Sequence, residues 1–290
     1  MVSLEESPDG ISQSTFIALS DHLPHSIALF RRLQFMNIKG GKTTNSHVFT
    51  LFESPEIFTV AYLDFSRGTE TEMWLYSSTE RLPGSEIETR CQEQVLEILK
   101  RVKDIESPYV EANGPRATPG IVLIGSLHEK ILRFLEDQQR VKQATGPHFK
   151  FIFKAADLPP EIVLRSEDLV YSEIRKSDIP LVLSRTEIPR KERTMVLLPS
   201  MAVTVNKEPI AWGFLGPDAS LTSLHVEENY RGQSLAKAIA RKLFVGKTSA
   251  YGPESIYHAD VGTSNLQSQG VCKSLGGKAD FCVYWAWIKL

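Results

Sequence analysis

Hydrophobic positions along the chain alternate between a period near 3.6 and a period of two, so helices and strands are expected to follow one another. In the first half, residues 11–23 read as a helix ended before Pro24. Residues 26–37 fit either helix or strand, and the pairs Leu29-Phe30 and Leu33 to Phe35 favour a strand near the end. Residues 57–65 and Met73–Ser77 read as strands. Ser85 is expected to cap a helix running to about 105, with Ile87, Cys91, Val95, Leu96, Ile98, Leu99 and Val102 on one face. A buried strand at 120–125, a helix at 127–144 broken at Gly146-Pro147, and an alternating strand at 148–153 complete this half.

The segment 155–160, AADLPP, is the expected linker, because paired prolines stiffen a connection and stop a helix. A strand is expected at 161–164, a helix from Ser177 or Asp178 to 186, and a short helix at 190–197. Strands at 201–205 and 210–214 flank the turn Asn206-Lys207-Glu208-Pro209 as a hairpin. The segment 221–240 reads as strand, turn and helix, with Leu235, Ala238, Ile239 and Leu243 on one helix face. A strand at 255–261, a helix at 265–275 stopped by Gly276-Gly277, and a strand at 279–290 end the chain. The turn Arg231-Gly232-Gln233-Ser234 enters a helix, where free N–H groups and the positive end of the macrodipole make an anion site suited to a diphosphate.

At 290 residues, with 42% hydrophobic and 23% charged positions, the chain supports two folded domains, expected at 1–157 and 158–290. A formal charge of −2 gives no electrostatic basis for binding nucleic acid or an anionic membrane. No apolar run approaches the roughly 20 residues a membrane helix needs. The acidic N-terminus resembles neither a secretory signal nor a transit peptide. Cys91, Cys272 and Cys282 are few and unpatterned, which suits a reducing compartment and a soluble cytoplasmic protein.

In element order, and in Glu228-Asn229-Tyr230-Arg231-Gly232-Gln233-Ser234-Leu235-Ala236, the second half resembles the GNAT superfamily of N-acyltransferases, which use acyl-CoA. Ala211-Trp212, Tyr230-Arg231, Tyr257-His258-Ala259-Asp260, Ser264-Asn265 and the Trp-containing final strand are most similar to the glycine N-acyltransferase-like branch. The resemblance implies an α/β fold of two tandem GNAT-like domains. Each has a mixed, mostly antiparallel sheet flanked by helices, and the N-terminal domain is degenerate. It implies acetyl-CoA or another acyl-CoA as co-substrate and no metal. The turn is usually written Gln/Arg-x-x-Gly-x-Gly/Ala; here Ser234 takes the place of the first glycine and reaches φ > 0 less cheaply.

The resemblance also implies direct attack of an amine on the thioester, with the carbonyl polarised by a backbone N–H of a splayed central strand. By position, the strand's backbone roles fall on Leu224, His225 and Val226, phosphate contacts on Arg231, Gly232, Gln233, Ser234, Leu235 and Ala236, and the pantetheine contact on Asn265. Two positions depart from the pattern. Cys272 stands where many relatives have a Tyr acid; it is either a proton donor or a small core residue. Ser220 stands where a base carboxylate is expected, leaving Asp218 as the nearest carboxylate, although Pro217-Asp218 is also ordinary turn chemistry. His225 is a second candidate base or an outward-facing strand residue, and Glu227 and Glu228 are equally explained as favouring the helix's positive end.

A rival motif, Gly40-Gly41-Lys42-Thr43, has the end of a phosphate loop but Met36 where that loop needs glycine, so it reads as a basic surface turn. The remaining rival is an acyl-CoA-binding protein without transfer activity. The acceptor is expected to be a small-molecule or peptide amine; nothing in the chain distinguishes glycine, a polyamine or a protein N-terminus, or acetyl from a longer acyl chain.

Overall fold

The protein is described from a computed structural model covering residues 3–82, 85–186 and 188–290. Its first compact unit comprises Met1–His148 with Phe281–Leu290 and its second comprises Phe149–Asp280.

The first unit runs β1 (Glu5–Ser7), α1 (Gln13–Asp21), α2 (Ile27–Phe35), β2 (Ser46–Ser54), β3 (Ile57–Asp64), β4 (Met73–Ser77), α3 (Ser85–Asn113), β5 (Ile121–His128), α4 (Glu129–Asp137) and β6 (Val141–Lys154), which continues into the second unit. β1 to β4 are joined by antiparallel pairings and β4 pairs parallel with β5 at Met73 and Ile124. Period-two alternation splits the sheet's side chains between two cores. Val48, Phe58, Val60, Tyr62, Trp74 and Tyr76 join a cluster with residues of α1 and α2. Phe49, Leu51, Ala61, Leu63, Met73 and Leu75 join one with α3, which contributes Val95, Ile98, Leu99 and Val102.

Several expectations are corrected here. The segment 26–37, which fits either helix or strand, forms helix α2 over Ile27–Phe35, with no strand near its end. Every residue of α2 is buried, including Arg31 and Arg32, so no polar face marks the helical period; the Arg32 guanidinium lies over the Tyr62 ring at 3.7 Å. β2 was not among the expected elements, because the four consecutive buried residues Val48, Phe49, Thr50 and Leu51 erase its alternation. α3 continues through Pro108 to Asn113, and the proposed Ser85 cap lies outside the described side chains. The helix expected at 127–144 ends at Asp137; Gln139 turns at φ 55 and the exposed stretch after Val141 is strand.

The second unit contains the end of β6, β7 (Val170–Ser172), α5 (Ile179–Ser184), α6 (Glu192–Met195), β8 (Ser200–Val205), β9 (Glu208–Leu215), β10 (Leu221–Val226), α7 (Leu235–Lys247), β11 (Ile256–Gly262) and α8 (Leu266–Ser274). The final strand, β12 (Lys278–Lys289), begins in this unit; from Val283 onward it pairs antiparallel with β5 in the first. β7, β8, β9 and β10 form an antiparallel sheet in that order. The β8–β9 hairpin turns through Asn206 and Lys207, both at positive φ, matching the expected turn segment. α7 packs on β9, where Gly213 permits close approach: a β-carbon there would lie 3.2 Å from Ile239 and Leu243. No strand forms at 161–164, where Val163 is 84% exposed; pairing with β8 falls instead to β7. The 155–160 segment lies inside the second unit, because β6 carries the chain across the division at His148.

Candidate active site

The site is built on two parallel strands that start together and then part. β10 and β11 touch through a single parallel bridge, Ser220 to His258. On its other side β10 stays paired with β9, through Leu221–Leu215, Thr222–Phe214, His225–Trp212 and Val226–Ala211. The register shifts between Thr222 and His225, where Ser223 takes φ 51, a β-bulge that re-aims the strand beyond it. Glu227 N–H donates to Ile210 O on β9. Backbone groups alternate sides along a strand, so those of Val226 and Leu224 face away from β9. Consistent with this, the Val226 carbonyl accepts from Arg231 Nε at 3.2 Å.

Beyond β10 a single helical turn, Glu228–Tyr230, leads to the turn predicted to hold phosphate. Gly232 sits at φ 76 and Ser234 at φ 62, ψ 16, so Ser234 adopts the left-handed conformation a glycine takes at little cost. Ser234 is the N-cap of α7 without a side-chain cap bond, and the first helical bond closes from Ala238 N–H to Ser234 O. The N–H groups of Leu235, Ala236 and Lys237 therefore have no acceptor within the helix. No acidic residue occupies the first turn of α7, which leaves its positive end uncompensated. A β-carbon at Gly232 would meet nothing within 4 Å, so the turn borders open space. These donors fit a diphosphate group. At the end of β11, Asn265 caps α8; its Oδ1 accepts Ser268 N–H at 3.0 Å, leaving its NH2 to donate elsewhere.

At the near end of the strands the expected candidate bases separate. Asp218 is 4% exposed, in a turn closed by Ala219 N–H to Gly216 O and Gly216 N–H to Ser220 O, both 2.8 Å. Its Oδ1 accepts from Ser220 N–H at 3.2 Å and from Ser220 Oγ–H at 2.6 Å. Burial alone would raise the Asp218 carboxyl, but His258 when protonated, the Lys150 charge and the Ser220 hydrogen bonds hold it below its ordinary range. His225 stacks on Trp212 with ring centroids 4.7 Å apart, and its Nε2 lies 3.7 Å from Glu227 Oε2. Burial lowers its pKa against the opposing pull of Glu227, so the imidazole is neutral at neutral pH. Cys272, in α8, is 2% exposed, and burial pushes its thiol up to about 12.

A buried polar group beside Asp218 was not anticipated. Lys150 on β6 and His258 on β11 are 1% and 0% exposed, and the Asp260 side chain is 4% exposed. Lys150 Nζ lies 2.6 Å from Asp260 Oδ1 and 3.3 Å from His258 Nδ1, while His258 Nε2 lies 2.7 Å from the Asp218 carbonyl. Burial, then the Lys150 charge, lower the His258 pKa to about 4. The signals in the sequence were a lysine in an otherwise apolar stretch of strand, Phe149 to Phe153, and His258 and Asp260 in the quoted Tyr257–Asp260 stretch. In the first unit, Gly40-Gly41-Lys42-Thr43 precedes β2 and follows a helix; Lys42 pairs with Asp9 at 2.8 Å and Thr43 Oγ1 donates to Asp64 at 3.1 Å. Among the described residues, no group of three or more His, Cys, Asp or Glu side chains is placed to hold a metal ion. Among them, too, no helix is long and apolar enough to cross a membrane.

Two α/β GNAT-like domains in one chain place it in the GNAT superfamily of N-acyltransferases. Residues 5–152 match the family described as acyl-CoA N-acyltransferase verG N-terminal domain, and the chain belongs to that family. Solved structures share the fold. A Drosophila protein aligns over 99% of both chains with a TM-score of 0.68 at 13% identity. A GCN5-related N-acetyltransferase from Sphaerobacter thermophilus aligns over 99% of this chain and 95% of its own, at TM-score 0.54 and 10% identity. A tandem GNAT protein from the clavulanic acid biosynthesis pathway aligns over 99% and 98%, at TM-score 0.51 and 9% identity. No curated protein matches the sequence.

Proposed function

We propose that the second unit moves an acetyl or other short acyl group from CoA to a primary amine by direct attack. The observation that carries this reading is the single Ser220–His258 bridge from which β10 and β11 part. An extended pantetheine arm fits along the freed edge of β10, about 20 Å for its six residues. The diphosphate lies against Arg231 to Ala236, backbone groups of Leu224 and Val226 pair with the arm, and the Asn265 NH2 donates to it. Leu224 N–H, just past the bulge at Ser223, polarises the thioester carbonyl.

Of the candidate proton-transfer residues, Asp218 is the one tied to the start of the strands. His225 is neutral but stacked on Trp212. A Cys272 thiol raised to about 12 is a weak donor to a leaving thiolate and packs as a core residue. That burial, with Ser220 in place of a carboxylate, is what favours the second reading, an acyl-CoA-binding protein without transfer activity.

The two readings separate when the protein is incubated with acetyl-CoA and longer acyl-CoAs against glycine, other amino acids, a polyamine and a peptide N-terminus, with free thiol measured. Amine-dependent thiol release with formation of the amide supports transfer. Saturable CoA binding without thiol release for any amine supports the binding protein.

A further inference from the structure

Five polar residues, Lys150 on β6, His258 and Asp260 on β11, and Asp218 and Ser220 just before β10, form one connected chain. It runs from Asp260 to Lys150 at 2.6 Å, to His258 Nδ1 at 3.3 Å, from His258 Nε2 to the Asp218 carbonyl at 2.7 Å, and from Asp218 Oδ1 to Ser220 Oγ at 2.6 Å. Asp260, Lys150, His258 and Asp218 are buried; Ser220, at the end, is partly exposed.

Hydrogen-bond inventory fixes the direction of each link. An ammonium only donates, so His258 Nδ1 accepts from Lys150 and Nε2–H donates to the Asp218 carbonyl. An ionised carboxylate only accepts, so the Ser220 hydroxyl commits its hydrogen to Asp218. The lone pairs of Ser220 Oγ, on a partly exposed residue, then remain as acceptors. Tyr251 anchors the same turn from the other side, its hydroxyl donating to the Leu215 and Gly216 carbonyls at 3.2 and 2.7 Å.

We propose that Ser220 receives the acceptor amine and relays its proton to Asp218, with Lys150, His258 and Asp260 as positioning residues that hold the Asp218 turn. This rests on the transfer reading above. A neutral amine donates one N–H to Ser220 Oγ. Its nitrogen attacks the thioester carbon, forming the C–N bond and converting the carbonyl to an alkoxide. The nitrogen, now positively charged, passes a proton to Ser220 Oγ as the Ser220 hydrogen moves to Asp218 Oδ1. The alkoxide reforms the carbonyl, the C–S bond breaks, and the thiolate leaves with the electron pair. The proton on Asp218 returns through the same hydroxyl to the thiolate. The sum is amine plus thioester to amide plus thiol. A carboxylate held below its ordinary range is too weak a base to deprotonate a free alkylammonium, but it is suited to the much more acidic nitrogen formed after addition.

The test compares wild type with Ser220→Ala, Ser220→Thr and Asp218→Asn, using thiol release against amine concentration and calorimetric binding of CoA. Asn at 218 still accepts from the Ser220 hydroxyl but takes no proton. Ser220→Ala and Asp218→Asn are each expected to lose kcat about 100-fold, with CoA affinity unchanged. Threonine at 220 keeps the hydroxyl and is expected to recover most of the rate. The kcat of Asp218→Asn is expected to fall while its KM for the amine holds. Thiol release at wild-type rate by Ser220→Ala or Asp218→Asn overturns the relay and leaves the transfer reading standing, as does a Ser220→Thr variant no faster than Ser220→Ala. Absence of thiol release by wild type with every amine overturns both. If Asp218→Asn does not fold, the alanine and threonine variants at 220 decide alone.

Discussion

Gly216 leaves the space that the Asp218 carboxylate occupies. A β-carbon at 216 would lie 2.9 Å from Asp218 Oδ1 and 3.0 Å from Ser220 Oγ, closer than side-chain carbons pack. Gly216→Ala therefore pushes the two oxygens apart while leaving the phosphate turn untouched. The expected outcome is a loss in amine kcat/KM of about 100-fold, since small misplacements at a reacting centre have large effects. Overpacking costs stability of about 1–3 kcal/mol, and CoA affinity is retained. Steady-state kinetics beside urea unfolding and calorimetry check all three; an unchanged kcat/KM contradicts the importance of this geometry.

Ser234 carries strain for the sake of the turn. It holds φ 62 with no side-chain cap bond to offset the left-handed conformation. Ser234→Gly keeps the backbone N–H and removes the β-carbon clash, so it is expected to stabilise the protein by about 1 kcal/mol. In a chain this long that is a rise in Tm of about 2–4 °C. CoA affinity should hold or improve. Ser234→Val is expected to move both quantities the other way, because a β-branched residue fits this conformation worst. Thermal melting with and without CoA reads both variants.

Cys272 and Cys282 offer a contrast in reactivity. Cys272 is 2% exposed with a thiol at about 12, while Cys282 is only partly buried, with its thiol also raised by burial. Iodoacetamide is expected to label Cys282 well before Cys272 in the native protein, because the thiolate is the nucleophile and access to it is needed. Cys272→Ala should keep its transfer rate. A large loss of kcat in that variant, with the fold intact by circular dichroism, would return Cys272 to the role of acid.

Much of the second unit was legible because its patterns are locally complete. β10, the turn and α7 announce themselves through Leu221–Val226, Gly232 and the spacing of Leu235, Ala238, Ile239 and Leu243. Asn265 could be read as a helix start from its position alone, and it caps α8. What escaped were elements whose identity depends on neighbours distant in sequence. α2 is buried on every side and β2 on both faces, so neither shows a polar stripe to set its period. The Lys150–His258–Asp260 group escaped for the same reason: Lys150 and His258 are 108 residues apart, and only the pairing of strands brings them together. The family match, by contrast, falls on residues 5–152, the half that holds none of the motifs quoted for the resemblance.

The buried His258 makes stability depend on pH in a defined window. Its folded-state pKa is lowered from 6.5 to about 4, first by burial and then by the Lys150 charge, with Asp218 and Asp260 opposing. Lys150 approaches it from β6, Asp260 shares its strand, and Asp218 lies in the turn before β10. Between about 4 and 6.5 the unfolded chain binds a proton at this residue that the folded chain does not, so stability rises with pH across that window. The contribution is full above 6.5, declines as pH falls, and is gone below about 4; the shift corresponds to about 3 kcal/mol. His258→Gln keeps a donor toward the Asp218 carbonyl but does not titrate. Its stability is expected to be lower than wild type at pH 7.5 and to change less between pH 6.5 and 4.5. Urea unfolding at pH 7.5, 6.5, 5.5 and 4.5 measures both slopes. Equal slopes for the two proteins would mean that His258 is already accessible to protons in the folded state.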